Sequence, residues 1–434
     1  MSVEISARRR RDIIDALRRG VVPSIGLDAL AVGLDRFETA LDDDLDRVAG
    51  GGSVFKAIRG EYGAGKTFFT RWLAERAKRR GFATAEVQIS ELETPLHRME
   101  TVYRRLVEHL STEQFAPSAF RPVLDGWMFA LEEDVLAGGA VAEDDAPALE
   151  RAVDELLERR LGDISRSTPG FASALRGYRS ATAAGDHGTA EGIAAWLGGQ
   201  PHVAARARRA AGVKGDLDHY GALSFLRGLL TVLRDSGHPG LLVVLDEVET
   251  LQRVRTDVRD KALNSLRQLV DEMHLDRFPG LLVLITGTPA FYDGPQGIQR
   301  LAPLAQRLAT AFDPEPRWDN PRAVQLRLPG FTTDALVELG TRVREIYDSP
   351  AVDSRVDDAY LAALARAVTG ALGGQVGVAP RVYLKKLVAE VFDRVDQFAD
   401  WDPRRHHHLT LRTDELTDVE RNAAASADDV ELPL

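Results

Sequence analysis

The chain contains no cysteine in 434 residues. That excludes a disulfide framework, a thiolate nucleophile and a Cys-ligated zinc site, and it fits a reducing cytoplasm. Long apolar runs are also missing. The longest, residues 241–245 and 281–285, fall far short of the ~20 residues a membrane helix needs. Basic residues at the N-terminus are followed by no apolar stretch, so no secretory signal is expected. No positive excess exists either. Lys+Arg number 55 against 66 Asp+Glu, a formal net charge of −11, which disfavours indiscriminate nucleic-acid coating but leaves room for a local basic patch. No internal repeat is visible. What remains is an ordinary globular composition, 44% hydrophobic and 28% charged, long enough for about two or three domains.

Hydrophobic periodicity divides the chain. Residues 54–59 read as a strand, and from Thr67 a helical pattern puts Phe69, Trp72, Leu73 and Ala77 on one face, stopped by Gly81. A second strand is expected at 83–90 and a helix over 94–111. From 112 to 218 only amphipathic segments occur, near 121–136, 148–161, 170–182 and 188–196. Alternation then resumes: helix 220–234, strand 240–245, helix 258–273, strand 280–286, helix 300–311 and strand 323–328. Strands that are nearly continuous apolar runs between helices indicate a parallel sheet covered on both faces. Helices follow at 333–347, 357–371 and 380–398, and the tail from Asp400 is polar and expected to be mobile.

The residues Gly60, Glu61, Tyr62, Gly63, Ala64, Gly65, Lys66 and Thr67 match G-x-x-x-x-G-K-[ST] at every fixed position. Glycines there let successive backbone N–H groups converge on phosphates. Lys66 then reaches the β- and γ-phosphates, the Thr67 hydroxyl ligates Mg²⁺, and the helix that runs on through Phe68 adds its positive end. A strand directly before and a helix directly after make a chance match a poor alternative. ATP and Mg²⁺ are the expected cofactors.

The apolar run 241–245 ends in Asp246 and Glu247, which places carboxylates at the C-terminal edge of the sheet, where open α/β sheets bind ligands. Asp246 is expected to hold the metal through water and Glu247 to polarise the attacking water; the plain alternative is a helix cap. Thr286 reaches the γ-phosphate if its strand lies between the other two, with Thr288 as the alternative and a capping role for either as the bland reading. Arg307, with Arg300 behind it, is a candidate arginine finger or else a solvated helix residue. Arg381 is a candidate γ-phosphate sensor at a helix start. Pro23, Gly26, Val32 and Gly33 precede the phosphate loop where an adenine-contacting linker would lie.

Two basic clusters, at Arg8, Arg9, Arg10 and Arg11 and at Arg206, Arg208, Arg209 and Lys214, are either DNA contacts or solvated helix faces. His406, His407 and His408 lack the spacing of a metal site. Trp127, Trp196 and Trp401 read as packing residues. A small-acceptor kinase is disfavoured, because the Asp246–Glu247 pair suits a water nucleophile and no Arg-rich lid is evident.

The phosphate loop, Asp246–Glu247, the Thr286 strand and the Pro380–Arg381 pair resemble the AAA+ ATPases. More narrowly, the phrases at 31–35, 55–63, 87–91, 94–98 and 286–291 resemble the BREX (bacteriophage exclusion) system ATP-binding proteins often called BrxD, over about residues 13–398. The resemblance implies an α/β P-loop NTPase of AAA+/ASCE type: a parallel sheet flanked by helices, with a helical insertion and a C-terminal helical lid. It divides the chain into an N-terminal helical linker 1–52, a split ATPase core 53–111 and 219–330, an insertion 112–218, a lid 331–398 and a tail 399–434. It further implies an oligomeric cytoplasmic ATPase, a homo-oligomer, that acts in phage defence beside a helicase, a methyltransferase and a phosphatase-like partner. Coupling of hydrolysis to remodelling of DNA or a partner follows as the expectation, and a nucleotide-gated module with little turnover is the alternative. No complete winged-helix domain is obvious after Phe398.

Overall fold

Apolar residues recur at intervals that decide each element of the chain. In the computed structural model, residues 5–139, 141, 144–371 and 379–408 are described. Helix α1 (Ala7–Arg19) starts at Ser6, whose hydroxyl accepts from Arg9 N, and stops at Gly20, which takes a left-handed φ of 72° that only glycine adopts at no cost. A 3-10 turn (Leu27–Leu30) and α2 (Asp35–Ala49) lead to strand β1 (Ser53–Arg59), helix α3 (Lys66–Arg79), strand β2 (Ala83–Gln88) and α4 (Met99–Glu108). Five helices follow: α5 (Phe120–Ala137), α6 (Ala146–Ser167), α7 (Pro169–Ala183), α8 (His187–Leu197) and α9 (Ala205–Ala210). Among the described residues from 112 to 218 there is no strand. Then come α10 (His219–Asp235), β3 (Leu241–Asp246), α11 (Thr256–His274), β4 (Leu281–Gly287), α12 (Pro289–Asp293) and α13 (Ala302–Arg307). Strand β5 (Gln325–Arg327) precedes α14 (Thr333–Tyr347), α15 (Pro350–Arg355), α16 (Asp358–Ala371), α17 (Ala379–Lys386), a π-turn (Leu387–Phe392), α18 (Asp393–Gln397) and α19 (Pro403–His406).

The five strands form one sheet in the order β2-β3-β4-β1-β5. Its register pairs Gln88 with Asp246 across β2 and β3, and Leu245 with Ile285 across β3 and β4, all in parallel. Every residue of β3 and β4 is buried, which is why residues 241–245 and 281–285 are uninterrupted apolar runs.

The chain divides into two compact units. One comprises Met1–Leu41, Ile58–Glu75 and Thr310–Leu434; the other comprises Asp42–Ala57 and Arg76–Ala309. In the first, Ile13, Ile14 and Leu17 of α1 join one buried core with Leu336, Leu339, Val343, Leu361, Tyr383 and Phe392. In the second, Phe225 of α10 takes ring contacts from Tyr103 at 6.0 Å, Phe171 at 5.1 Å and Trp196 at 5.2 Å. The Tyr103 hydroxyl donates to Leu197 O at 3.0 Å. Helices α7 and α8 are thereby packed onto α10 and α4 within the same unit that holds β2, β3 and β4.

Several expected elements are shorter than periodicity suggested. The helix expected from 94 begins at Met99, because Pro95 disfavours helix in the residue before it and Arg98 N closes a turn on Pro95 O at 2.9 Å. The helix expected over 300–311 is confined to Ala302–Arg307 with Pro303 in its first turn. The last strand narrows from 323–328 to three residues, whereas the helix expected over 380–398 runs from 379 to 397 without a gap, through a π-helical stretch at 387–392. The polar stretch after Asp400 was expected to be mobile. Residues 400–408 instead carry α19 and bury His407 to 2% exposure, because its ring hydrogen-bonds Tyr360 Oη at 2.9 Å and reaches Glu390 at 3.3 Å. The Gly377–Val378 lead-in to Arg381 and the tail beyond 408 lie outside the described residues.

Candidate functional site

The glycine-rich loop leaves β1 at Gly60. A side chain there would meet Ala64 Cβ at 3.1 Å and Leu328 O at 3.3 Å, a tight approach that favours glycine. Gly63 and Gly65 take φ of 76° and 87°, conformations that L side chains rarely adopt. Ala64 N closes a turn on Glu61 O at 3.1 Å, and Phe69 N already makes the helical bond to Gly65 O at 2.8 Å. Lys66, 8% exposed, folds back so that Nζ donates to Gly60 O at 2.9 Å and Glu61 O at 3.2 Å. The half-exposed Tyr62 ring lies 5.2 Å from the same ammonium. Helix α3 has no acid in its first turn, where a helix presents the positive end of its dipole. Thr67 is partly exposed, and Phe68 packs its ring against the helical core of its unit.

Residues ahead of the loop are fastened to α3. Glu75 accepts from Gly26 N and Leu27 N, both at 2.8 Å, and Trp72 Nε1 donates to Asp28 Oδ1 at 2.8 Å. Spacing alone did not single out Glu75 or Asp28.

In the other unit, Asp246 ends β3 at 5% exposure and Thr286 sits in β4 at 0%. The Thr286 hydroxyl donates to Asp246 Oδ1. Its oxygen accepts from Glu247 N at 3.0 Å, and Asp246 Oδ1 accepts from the same N–H at 3.1 Å. A threonine hydroxyl has one proton, and here that proton goes to Asp246. Thr286 therefore brackets the acid pair, and β4 does lie between β3 and β1, the condition attached to its phosphate role. Thr288 is buried and precedes α12 without capping it by its side chain. Glu247 is exposed and left-handed, with φ of 59° and ψ of 41°, and its Oε2 accepts from Gln88 Nε2 at 3.0 Å. Gln88 went unnoticed in the sequence; its one signal is its place at the end of β2, opposite Asp246 in register.

The arginines are engaged within the chain. Arg307 forms an ion pair with Asp271 and donates to Pro303 O at 2.8 Å; Arg267 binds the same carboxylate at 2.7 Å. Arg300 donates to both oxygens of Asp260, at 2.5 and 3.2 Å, and that bond holds the Asp260 carboxyl below its usual range. Arg381 lies at the C-terminal end of α1, its Nη1 3.6 Å from where a Cβ on Gly20 would stand. Positive charge is favoured at such an end.

The basic clusters differ in kind. Arg8, Arg9 and Arg11 are exposed on α1, while Arg10 pairs with Asp348. Arg206 binds Asp186 at 2.5 Å, and Arg209 and Lys214 are exposed. Among the described residues no group of three or more His, Asp or Glu side chains is arranged to hold a metal. No helix among them is long and apolar enough to cross a membrane.

A family model described as BREX system ATP-binding protein BrxC/D matches residues 5–411, nearly the whole chain. No curated protein matches it. The chain belongs to the BrxC/D family.

Proposed function

We propose that this member of the BREX system ATP-binding protein family is a Mg²⁺-dependent ATPase of AAA+ type, which couples ATP binding and hydrolysis to remodelling of DNA or a partner protein. The observation that carries the reading is the loop from Gly60 to Thr67: two left-handed glycines, a third closely approached by its neighbours, and a buried lysine ammonium folded onto the loop carbonyls. Such a loop suits a polyphosphate, because its N–H groups and the start of α3, which has no acid in its first turn, present positive charge. The carboxylate of Asp246 and the hydroxyl of Thr67 are hard oxygen donors of the kind Mg²⁺ takes.

In this reading the N–H groups of residues 61–68 and Lys66 bind the phosphates, and Thr67 and Asp246 hold the metal. When bound, ATP supplies a phosphoanhydride bond, and Mg²⁺ offsets the charge of its oxygens. Glu247 takes the proton of a water at its carboxylate, while Thr286, bonded to Asp246 and to Glu247 N, acts as a sensor of the γ-phosphate. Arg307 acts as a finger toward a neighbouring copy of the chain once it leaves Asp271, and Arg381 acts as a sensor. Residues 112–218 serve as a helical insertion in a core split between 53–111 and 219–330, with 331–398 as the lid. Homo-oligomerisation, a helicase among the partners, and DNA contact through Arg8–Arg11 or Arg206–Lys214 complete the proposal.

One observation favours a second reading, a nucleotide-gated module with little turnover that recruits defence partners: the carboxylate of Glu247 is already engaged by Gln88. The deciding experiment is ATP binding and phosphate release on the full chain, with and without duplex DNA. Loss of binding in Lys66→Ala, and retained binding with hydrolysis collapsed to a residual rate in Glu247→Gln, support the ATPase. Intact binding in the first variant or normal turnover in the second sinks it. Binding with no phosphate release under any condition favours the module.

A further inference from the structure

We infer that Arg259 is a positioning residue for Glu247, acting through the turn that joins them; this rests on the reading of Glu247 as proton acceptor. A left-handed glutamate persists only where its surroundings hold it there. Upstream, its N–H is held by Thr286 Oγ1 and Asp246 Oδ1. Downstream, its carbonyl accepts from Thr250 N at 3.1 Å and Thr250 Oγ1 at 2.9 Å, which winds residues 248–252 into a 3-10 turn. The end of that turn leaves carbonyls that no continuing helix satisfies.

Arg259, 7% exposed on α11, takes them up. Its Nε donates to Leu251 O at 3.0 Å, and Nη2 donates to Gln252 O at 2.9 Å and Val254 O at 2.8 Å. Its Nη1 donates to Gln296 Oε1. The planar guanidinium fork reaches acceptors in several directions at once; a lysine ammonium in its place cannot. Gln252 Nε2 adds a bond to Ala290 O at 3.0 Å, which fastens the same turn to α12. Glu247 thus starts a turn whose far end is clamped by Arg259, and the left-handed start is kept because the far end cannot unwind. Arg259 itself touches no reacting atom. Its contribution is the direction in which Glu247 leaves the sheet.

The test uses the full chain with Arg259→Gln, Arg259→Ala, Arg259→Lys, Gln296→Ala, Glu247→Gln and the Glu247→Gln/Arg259→Gln double variant. Arg259→Gln is expected to lower kcat for ATP about tenfold or more while KM stays within about twofold. The double variant is expected to turn over no slower than Glu247→Gln alone, because both changes act on one group. Arg259→Lys does not restore the rate, whereas guanidinium ion at low millimolar concentration partly does so in Arg259→Ala. Gln296→Ala removes one of the four acceptors at the rim and gives a smaller loss in the same direction, which keeps the inference testable if Arg259 variants fail to fold. Unchanged kcat in a folded Arg259→Gln variant, or a full further loss on the Glu247→Gln background, overturns the positioning role alone. Absence of turnover in the unsubstituted chain under every condition overturns the parent reading and this one with it.

Discussion

The side-chain amide of Gln88 donates a 3.0 Å hydrogen bond to Glu247 Oε2 across 159 residues of sequence. The parallel register makes this possible, since Gln88 is paired with Asp246 and its side chain needs to reach only one residue further. The amide occupies the carboxylate oxygen that a water must approach, and it has to be released before that oxygen can act. Gln88→Leu is therefore expected to raise basal ATP turnover by about two- to tenfold, the range that losing one modest hydrogen bond allows. Initial rates of phosphate release, compared at saturating ATP, check this; an unchanged or lower rate means that the bond does not restrain Glu247.

Thr286 makes a different kind of contact with the same acids. Its hydroxyl both donates to Asp246 and accepts from Glu247 N, at a position with 0% exposure. Thr286→Val keeps the shape and removes both bonds. The buried groups left behind are expected to cost about 1–3 kcal/mol of stability, seen as a lower urea midpoint, together with loss of turnover. Thr286→Ser keeps the hydroxyl and is expected to retain most of both. If valine and serine behave alike, the hydroxyl is not what matters.

How much of this was legible in the sequence depends on the range over which each signal acts. The strands β3 and β4 and helix α14 were legible because burial on all sides, or a capping Thr332 before an apolar stripe, is written into consecutive residues. The glycine-rich loop was legible because its backbone demands particular residues at fixed spacing. Gln88 and Arg259 were not, because an amide at a strand end and an arginine in an amphipathic helix look like any solvated residue. Their partners come from other strands and turns, and Arg259 mostly binds backbone carbonyls, which leave no trace in side-chain pattern. His407 was misjudged for the opposite reason: its polar neighbours suggested solvent, while Tyr360 and Glu390, far back in the chain, give its ring a buried place.

That buried place carries a pH dependence. Burial alone pushes the Glu390 carboxyl up, but its bonds to His407 and Lys386 and their charge outweigh this and bring it down to about 2 from an ordinary 4.5. A carboxylate with a lowered pKa in the folded state adds stability that is complete above about pH 4.5 and is lost as pH falls toward 2. Glu390→Gln is expected to be less stable at neutral pH and to lose less stability on acidification across that window. Urea midpoints measured between pH 6 and 3 test it, and parallel profiles for the two proteins would remove Glu390 as a source of acid sensitivity.

The strap that fastens residues 26–28 to α3 can be loosened from either side, and the two routes make the last prediction. Glu75 accepts two backbone N–H groups at 2.8 Å, and bonds to a charged acceptor contribute about 1.5–3 kcal/mol each. Removal by Glu75→Ala leaves both donors partly buried and unpaired. Gly26 lies at φ +75°, and an added Cβ would stand 2.8 Å from Ile13 Cδ1, so Gly26→Ala strains the same segment from its other face without touching Glu75. Glu75→Ala is expected to lower stability by about 3–6 kcal/mol and Gly26→Ala by about 1–2 kcal/mol or more, and both to open the segment around residues 20–33 to limited proteolysis, while cleavage within residues 112–218 keeps its rate. Because Trp72 and Glu75 belong to the helix that Lys66 begins, a loosened strap also frees the far end of that helix. Nucleotide affinity should then fall in both variants by a similar factor. A fall in only one of them would mean that the strap is structural and that the other variant acts through its own local change.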